Sequence, residues 1–369
     1  MAILVRKTKI AILGLLALIL SLVVGVWYLF FAGKAKPLEK SKYISRNQEK
    51  SNQSSTNINN AIWGQENSLA KTQPQEEKVE KPYLVITRNN SAVLGINEAI
   101  QKIGIDFIKK GDIVLIKPNL NTGLVYPATT NPEVVGEVVR LVKEAGAERI
   151  IVGDRSSVDR NNLEFKNTLK NFKTSGIKKA AEENGAEIMA FEETEWVRVK
   201  PEGATHWPQG FRIPKILLEV DHIISLPVIK THVTTDYTMS LKNLVGIIHP
   251  ADRYLMHDSS SINEMIAEIS LVIKPKLIVL DGTKSFITKG PNWGAVKEPK
   301  TYIATIDPVA ADALGIEILN QFKAQLREKD PYKQKQIKRA FELGLNKKNK
   351  DEIIKLVAER VNEWNSLKL

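Results

Sequence analysis

Basic and amide side chains follow a predicted strand in the middle of this chain. Within residues 225–246, an apolar run leads into Lys230 and His232, and Lys242 and Asn243 follow at helical spacing. In parallel α/β proteins, ligands bind beyond the carboxyl ends of the strands. Lysines at such a position can bind an anion, and a histidine can move protons. The segment therefore predicts a ligand site, although it does not name a reaction.

Other predicted strands also end in polar groups, and the carboxyl ends of parallel strands share one edge of a sheet. Groups that converge there could bind an anionic substrate, orient a divalent cation or transfer protons. A desolvated lysine could also form a Schiff base. We predict catalytic roles for Lys230, His232, Lys242 and His257, and ligand-binding roles for Lys117, Asn119, Asn121, Asp154, Ser156, Asn243 and Asp281.

Several of the acidic residues also have a structural interpretation. Asp307 precedes a proline and is typical of a helix cap, whereas Asp281 precedes a glycine and is typical of a turn. Asp154 could equally cap a loop or line a site. Lys117 directly ends an apolar run, where a charge needs a buried partner, and we expect that partner to be Asp154 or Asp281.

The histidines and the missing cysteines bear on cofactors. The chain has no cysteine, which excludes a disulfide, a thiolate zinc site and an iron–sulfur cluster ligated by this chain. A divalent cation stays open, although no pair of histidines has a standard zinc-ligand spacing. Serine-hydrolase, Walker and dinucleotide motifs are also missing from the sequence. The five histidines are His206, His222, His232, His249 and His257, of which His222 is expected to be structural.

The elements that would position these groups alternate between strands and helices. Alternating apolar and polar residues, or short continuous apolar runs, predict strands at 83–87, 112–116, 150–152, 187–190, 221–226, 277–280 and 302–305. Helical spacing and caps predict helices near 95–109, 131–145, 177–184, 238–245, 261–273 and 308–319. Residues 194–212 are predicted to form short strands and loops. This alternation predicts an α/β fold with a doubly wound, mostly parallel sheet and helices on both faces.

The two ends of the chain predict further segments. Residues 1–9 form a basic tail, and the uncharged run 10–32 is long enough for an uncleaved transmembrane anchor rather than a signal peptide. The basic tail favours an amino terminus inside, which would place the main domain on the extracytoplasmic side. Residues 33–80 predict a flexible polar linker. The α/β domain spans 81–320, and 321–369 predict a helical extension that packs on it, with a partner or membrane-surface helix as the alternative.

Charge restricts the class of partner. The formal net charge of +11 suits phospholipid, nucleic acid or a phosphorylated or carboxylated ligand. Much of this charge is spread over the tails and the sequence contains no nucleic-acid motif, which argues against nucleic acid. The expected partners are therefore a small anionic ligand and, through the amino-terminal helix, the lipid bilayer.

A set of short motifs occurs along residues 83–319. The motifs are Ile-Lys-Pro-Asn-Leu at 116–120, Gly-Asp at 153–154 with Ser156, Leu-Pro at 226–227 with Lys-Thr-His at 230–232, Leu-Lys-Asn at 241–243 with Gly246, Arg253 and His257, Asp-Gly at 281–282, Gly-Pro at 290–291 with Gly294, and Asp-Pro-Val-Ala at 307–310 with Asp312. In this set of motifs the chain resembles domain-of-unknown-function family 362. The resemblance adds Arg253 to the predicted ligand-binding residues. It implies an α/β protein and, since some members carry a ferredoxin-like module, a redox protein partner that would hold any cluster. The predicted anchor and linker, which are additions to the shared domain, suggest an envelope role and an envelope protein partner.

Three functions fit these observations. The density of ionisable groups at the strand ends favours an enzyme that acts on a small carboxylate or phosphate. A non-catalytic envelope module that binds such a ligand is the first alternative. A scaffold whose carboxyl-terminal tail recruits other proteins is the second.

Overall fold

A seven-stranded sheet lies at the centre of the computed structural model, which describes residues 81–157 and 167–369. Numbered along the chain, the strands are β1 (Leu84–Arg88), β2 (Ile113–Pro118), β3 (Arg149–Asp154), β4 (Glu187–Ala190), β5 (Trp196–Val199), β6 (Phe211–Pro214), β7 (His222–Leu226), β8 (Lys230–His232), β9 (Asp236–Thr238), β10 (Leu277–Gly282), β11 (Ser285–Phe286), β12 (Val296–Lys297) and β13 (Thr301–Thr305). The order in the central sheet is β1-β13-β10-β7-β2-β3-β4. The remaining strands form hairpin pairs, β5 with β6, β8 with β9 and β11 with β12.

The central sheet is mostly parallel, as predicted. β10, β7, β2, β3 and β4 pair in parallel, whereas β13 is antiparallel to both of its neighbours, β1 and β10. Parallel neighbours bring their carboxyl ends to the same edge, so β2 and β3 end side by side at Lys117 and Asp154. The predicted α/β class is therefore confirmed. Within the central sheet, β13 runs in the direction opposite to the other strands.

Helices cover both faces of the sheet. Along the chain they are α1 (Ala92–Ile103), α2 (Pro132–Glu144), α3 (Thr168–Thr174), α4 (Ile177–Glu183), α5 (Ser240–Asn243), α6 (Pro250–Asp258), α7 (Ile262–Ile269), α8 (Pro308–Gln321), α9 (Lys335–Glu342) and α10 (Lys350–Ser366). Successive strand residues point to opposite faces. Accordingly, Val114 and Ile116 of β2 join a core with α1 and α2, whereas Leu115 joins a second core with α7 and α8.

Two features of the helical end of the domain follow the sequence pattern. The carboxylate of Asp307 accepts hydrogen bonds from the backbone N–H groups of Val309 and Ala310, at 2.8 and 2.9 Å, so its prediction as a helix cap is confirmed. The indole of Trp364 in α10 donates to the Thr301 hydroxyl at 2.6 Å, which fastens the last helix to β13. The predicted helical extension therefore packs on the sheet domain.

The prediction of a membrane protein needs correction. Within residues 81–157 and 167–369, no helix is long and apolar enough to cross a bilayer. The prediction of a membrane-anchored chain with its domain on the extracytoplasmic side is therefore wrong for the part of the chain that the structure describes. The apolar run that suggested the anchor, 10–32, and the predicted tail and linker lie outside the described residues. The predicted domain boundaries stay predictions.

Candidate functional site

A pocket of about 470 Å³ opens where β2 and β3 end. This volume lies within the range of small-molecule sites. Nine of the twelve predicted site residues line it: Lys117, Asn119, Asn121, Asp154, His232, Lys242, Asn243, Arg253 and His257. The other three, Lys230, Ser156 and Asp281, do not line it. The lining also includes Arg155, Ser157 and Asn292, which were not among the predicted site residues.

A buried ion pair joins the ends of the two adjacent strands. Lys117 Nζ donates to Asp154 Oδ1 at 2.8 Å, and both side chains are almost fully buried. The carboxylate also accepts from the backbone N–H groups of Leu120 and Arg155, at 2.9 and 2.7 Å. Burial lowers the pKa of Lys117, and the charge of Asp154 opposes that shift. The charge of Asp154 also acts on Arg155 and Arg253, where it opposes the lowering of their pKa values by burial.

Two arginines extend the positive surface of the pocket. Arg253 donates to the carbonyl oxygens of Arg155 and Ser156, both at 3.3 Å, and to Asn121 Oδ1 at 3.0 Å. These acceptors carry no formal charge. Burial lowers the pKa of Arg253 to about 10 and that of Arg155 to about 9. Both pKa values remain well above neutral pH, so both guanidinium groups stay charged at pH 7.

Lys230 and Lys242 are both buried, but their ammonium groups have different surroundings. Lys230 Nζ donates to Asn119 Oδ1, Pro127 O and Ala128 O at 2.8, 3.1 and 2.7 Å, which uses all three of its donors. Lys242 lines the pocket, and its buried Nζ has no hydrogen-bond partner among the described residues. Burial lowers the pKa of each lysine to about 7, and for Lys242 the charge of Arg253 adds to this effect.

Hydrogen bonds orient the rings of the two pocket histidines. His232 Nδ1 accepts from the backbone N–H of Thr234 at 3.1 Å, which leaves the ring proton on Nε2. His257 Nδ1 lies 2.8 Å from the carbonyl oxygen of Arg253, which can only accept, so Nδ1 carries a proton. Burial lowers the pKa of His232 well below its ordinary value, and the nearby Lys242 adds to this effect. The pocket therefore offers a ring N–H donor at His232 and a second imidazole at His257.

Buried acids fix the two short helices that carry these groups. Asp312 of α8 accepts from the backbone N–H groups of Ser240 and Leu241, at 2.6 and 3.2 Å, and so caps α5 just before Lys242. The carboxylate of Asp252 in α6 accepts two hydrogen bonds from the guanidinium group of Arg212, at 2.9 and 2.8 Å. Because α6 also carries Arg253 and His257, this ion pair sets their position.

Ser156 and Asp281 support the surrounding structure. The Ser156 hydroxyl donates to the carbonyl of Leu120 at 3.0 Å, which ties two loops of the pocket together. Asp281 accepts from the Thr283 backbone N–H at 2.9 Å and from the Tyr126 hydroxyl at 3.1 Å, as a turn residue does. Burial raises the pKa of Asp281. Their predicted ligand-binding roles, like the catalytic role of Lys230, stay predictions.

The remaining histidines have structural contacts. His206 bonds to Glu268 at 2.7 Å, His222 bonds to Asp112 at 2.9 Å, and His249 accepts from the Ala251 backbone N–H at 3.2 Å as a helix cap. Across 81–157 and 167–369, no group of three or more histidine or acidic side chains is arranged to hold a metal ion. The divalent cation considered from the sequence stays untested.

We expect that Gly246→Ala destabilises the protein by about 1–3 kcal/mol through overpacking. A methyl group at Gly246 would lie 2.1 Å from Asp154 Oδ1 and 2.6 Å from Lys117 Nζ, so the ion pair would have to move. Urea unfolding measures the loss. Gly136→Ala in α2 is the control, since the tightest contact of its methyl group would be 3.0 Å to the end of the Asn184 side chain, and its contacts with Ala180 would be at ordinary van der Waals distances of 3.5 and 3.7 Å. Equal stability of the Gly246 variant and the parent would show that the pair is not rigidly held.

The site and fold define an α/β protein with a basic pocket at the carboxyl edge of its sheet. The chain matches the family described as Domain of unknown function (DUF362) over residues 114–317, more than half of its length, and it belongs to that family. The resemblance found in the sequence is therefore confirmed.

The chain is also similar to two known proteins. It is 29% identical over 226 residues to the "Thylakoid-associated protein sll1697" of Synechocystis sp. (strain ATCC 27184 / PCC 6803 / Kazusa); the match covers 58% of this chain. The matched region spans 65% of that relative's length, just under two thirds. Among solved structures, the lactate racemase apoprotein from Thermoanaerobacterium thermosaccharolyticum aligns with 14% identity over 55% of this chain and 50% of that chain. The TM-score of 0.37 is too low to establish a shared fold.

Proposed function

We propose that this domain is an enzyme that acts on a small anionic substrate, a carboxylate or a phosphate, in the pocket at the ends of β2 and β3. The observation that carries the proposal is the imbalance of charge among the described lining residues. Four basic side chains line the pocket, of which Arg155 and Arg253 are charged at pH 7, whereas Asp154 is the one carboxylate and already bonds to Lys117. An anion would supply the missing negative charge and a hydrogen-bond acceptor for Lys242.

The two histidines favour catalysis over simple binding. The ring N–H of His232 can stabilise negative charge that develops on a substrate, and the imidazole of His257 can move a proton to or from it. A module that only binds an anion needs cations but no such pair. Saturable binding without turnover of any tested anion would support the binding-module alternative.

The test begins with a thermal-shift screen of the full chain against pyruvate, succinate, inorganic phosphate and glycerol phosphate. A ligand that binds the folded state raises the melting temperature. We expect stabilisation by at least one of these anions, and weaker stabilisation at high salt. If none of them raises the melting temperature at millimolar concentration, the proposed anion site is wrong.

The variant Arg253→Gln is expected to weaken binding of the stabilising anion by at least about tenfold, because a hydrogen bond to a charged group contributes about 1.5–3 kcal/mol. Isothermal titration calorimetry measures the change. Arg149→Gln is the matched control, since Arg149 is half-exposed at the opposite end of β3 and pairs with Glu187. A similar loss in both variants would point to net charge rather than to the pocket.

A further inference from the structure

We infer that Lys242 is a nucleophile that forms an imine with a 2-oxo acid, whose carboxylate group lies against Arg253. The inference rests on the proposed anion site and assigns it both a substrate class and a covalent step. Its basis is the different environment of the three buried lysines around the pocket.

Two of these lysines are committed to hydrogen bonds within the fold. Lys117 bonds to Asp154, and Lys230 bonds to a side-chain amide oxygen and two backbone carbonyl oxygens. In these contacts the ammonium groups act as donors, and a protonated amine has no lone pair with which to attack a carbonyl carbon. Neither lysine is therefore suited to nucleophilic attack.

Lys242 has the opposite surroundings. Lys242 is 7% exposed and lines the pocket, and its buried Nζ has no hydrogen-bond partner among the described residues. An unpaired buried amine next to another cation is the arrangement that activates imine-forming lysines, because both factors favour the neutral form. Burial and Arg253 lower the pKa of Lys242 to about 7, so a large fraction is neutral at physiological pH.

The neighbours of Lys242 determine which carbonyl compound fits. Arg253 lines the same pocket as Lys242, and a guanidinium group matches the geometry of a carboxylate. In a 2-oxo acid the carbonyl carbon is bonded directly to the carboxylate carbon. Binding the carboxylate at Arg253 therefore brings the reacting carbon next to Lys242. The pocket of about 470 Å³ has room for a 2-oxo acid with a short side chain.

The reaction balances without an added oxidant or reductant. The Nζ lone pair forms a bond to the carbonyl carbon while the π electrons of C=O move to oxygen, and a proton passes from nitrogen to that oxygen. The hydroxyl group of the resulting carbinolamine takes up one more proton and leaves as water, which yields the protonated imine. The Nε2–H of His232 is suited to hydrogen-bond the developing alkoxide, the imidazole of His257 is suited to carry the proton from nitrogen to oxygen, and the additional proton comes from solvent.

Reductive trapping tests this inference. The full chain is incubated with pyruvate and sodium cyanoborohydride, which reduces an imine to a stable secondary amine, and the product is examined by intact mass and peptide mapping. We expect one pyruvate adduct per chain, on Lys242. Acetone, which has a carbonyl but no carboxylate, should label Lys242 at least tenfold more slowly. Propionate, which has a carboxylate but no ketone, should slow the labelling by pyruvate.

The variants and controls separate the possible results. Lys242→Arg should lose the adduct, whereas Lys276→Arg, which changes an exposed lysine outside the pocket, should keep it. Peptide mapping of the parent locates the adduct even if a variant fails to fold. If pyruvate raises the melting temperature but labels Lys242 no faster than exposed lysines, the imine is wrong and the anion site stands. If no anion stabilises the protein and no adduct forms, both proposals are wrong.

Discussion

Asp154→Ala is expected to lower the free energy of unfolding by about 3–5 kcal/mol, the usual cost of removing one partner from a buried ion pair. The change would leave Lys117 without its 2.8 Å partner at a site where both side chains are almost fully buried. It would also remove the acceptor of the backbone N–H groups of Leu120 and Arg155. Unsatisfied buried donors add to the cost. The loops that carry the pocket residues should therefore loosen together.

Urea unfolding measures this loss, and two variants serve as controls. Glu187→Ala removes the carboxylate of a half-exposed ion pair with Arg149 and should cost no more than about 1 kcal/mol. The double variant Lys117→Met with Asp154→Leu removes both charges and should recover much of the stability, since an apolar pair avoids the cost of burying ions. A double variant as unstable as Asp154→Ala would show that the backbone contacts, rather than the charge of Lys117, cause the loss.

The sequence predicted the location of the pocket because that location depends on strand ends. Lys117 and Asp154 each end a run of apolar residues, and parallel pairing of β2 with β3 places them side by side. The predicted strand at 187–190 has the same bounds as β4, and the other predicted strands differ from the structure by no more than two residues at either end. Strand direction was harder to predict, since the short run of β13 looks the same whether it pairs in parallel or antiparallel.

The hydrogen-bond partners of the buried lysines could not be predicted from the spacing of residues in the sequence. Lys230 and Lys242 look alike in the sequence. In the structure, however, only Lys230 donates hydrogen bonds to Asn119 and to the carbonyls of Pro127 and Ala128, which lie more than a hundred residues away in the chain. Helix α6 was not predicted, although it carries Arg253 and His257. Few of its residues are apolar, and its position depends on an ion pair with Arg212, which lies on β6. The proline that begins α6 was the available signal.

Lys242→Met is expected to stabilise the protein by about 0.5–2 kcal/mol at pH 7 while abolishing the pyruvate adduct. The pKa of Lys242 is about 7 in the fold, against an ordinary value of 10.5. Between these pH values the unfolded chain binds more protons than the folded chain, so the stability of the parent rises with pH. Below about pH 7 the amine is charged in both the folded and the unfolded chain, so the full cost of burying a charged amine lowers the stability of the parent. Methionine avoids this cost, so the advantage of the variant should shrink as the pH rises towards 10.5.

Lys230→Met is the matched control, because burial lowers the pKa of Lys230 to the same value of about 7. Its replacement leaves Asn119 Oδ1 and two buried carbonyl oxygens without their donor. Near pH 10.5 the ionisation of the lysine contributes little to the difference in stability between variant and parent. At that pH Lys230→Met should be less stable than the parent by about 1–3 kcal/mol, whereas Lys242→Met should be no less stable than the parent. Urea unfolding from pH 6 to 10.5 measures both curves. If Lys242→Met is also destabilised at high pH, its amine has a partner in the fold, and the argument that it is held available for a substrate fails.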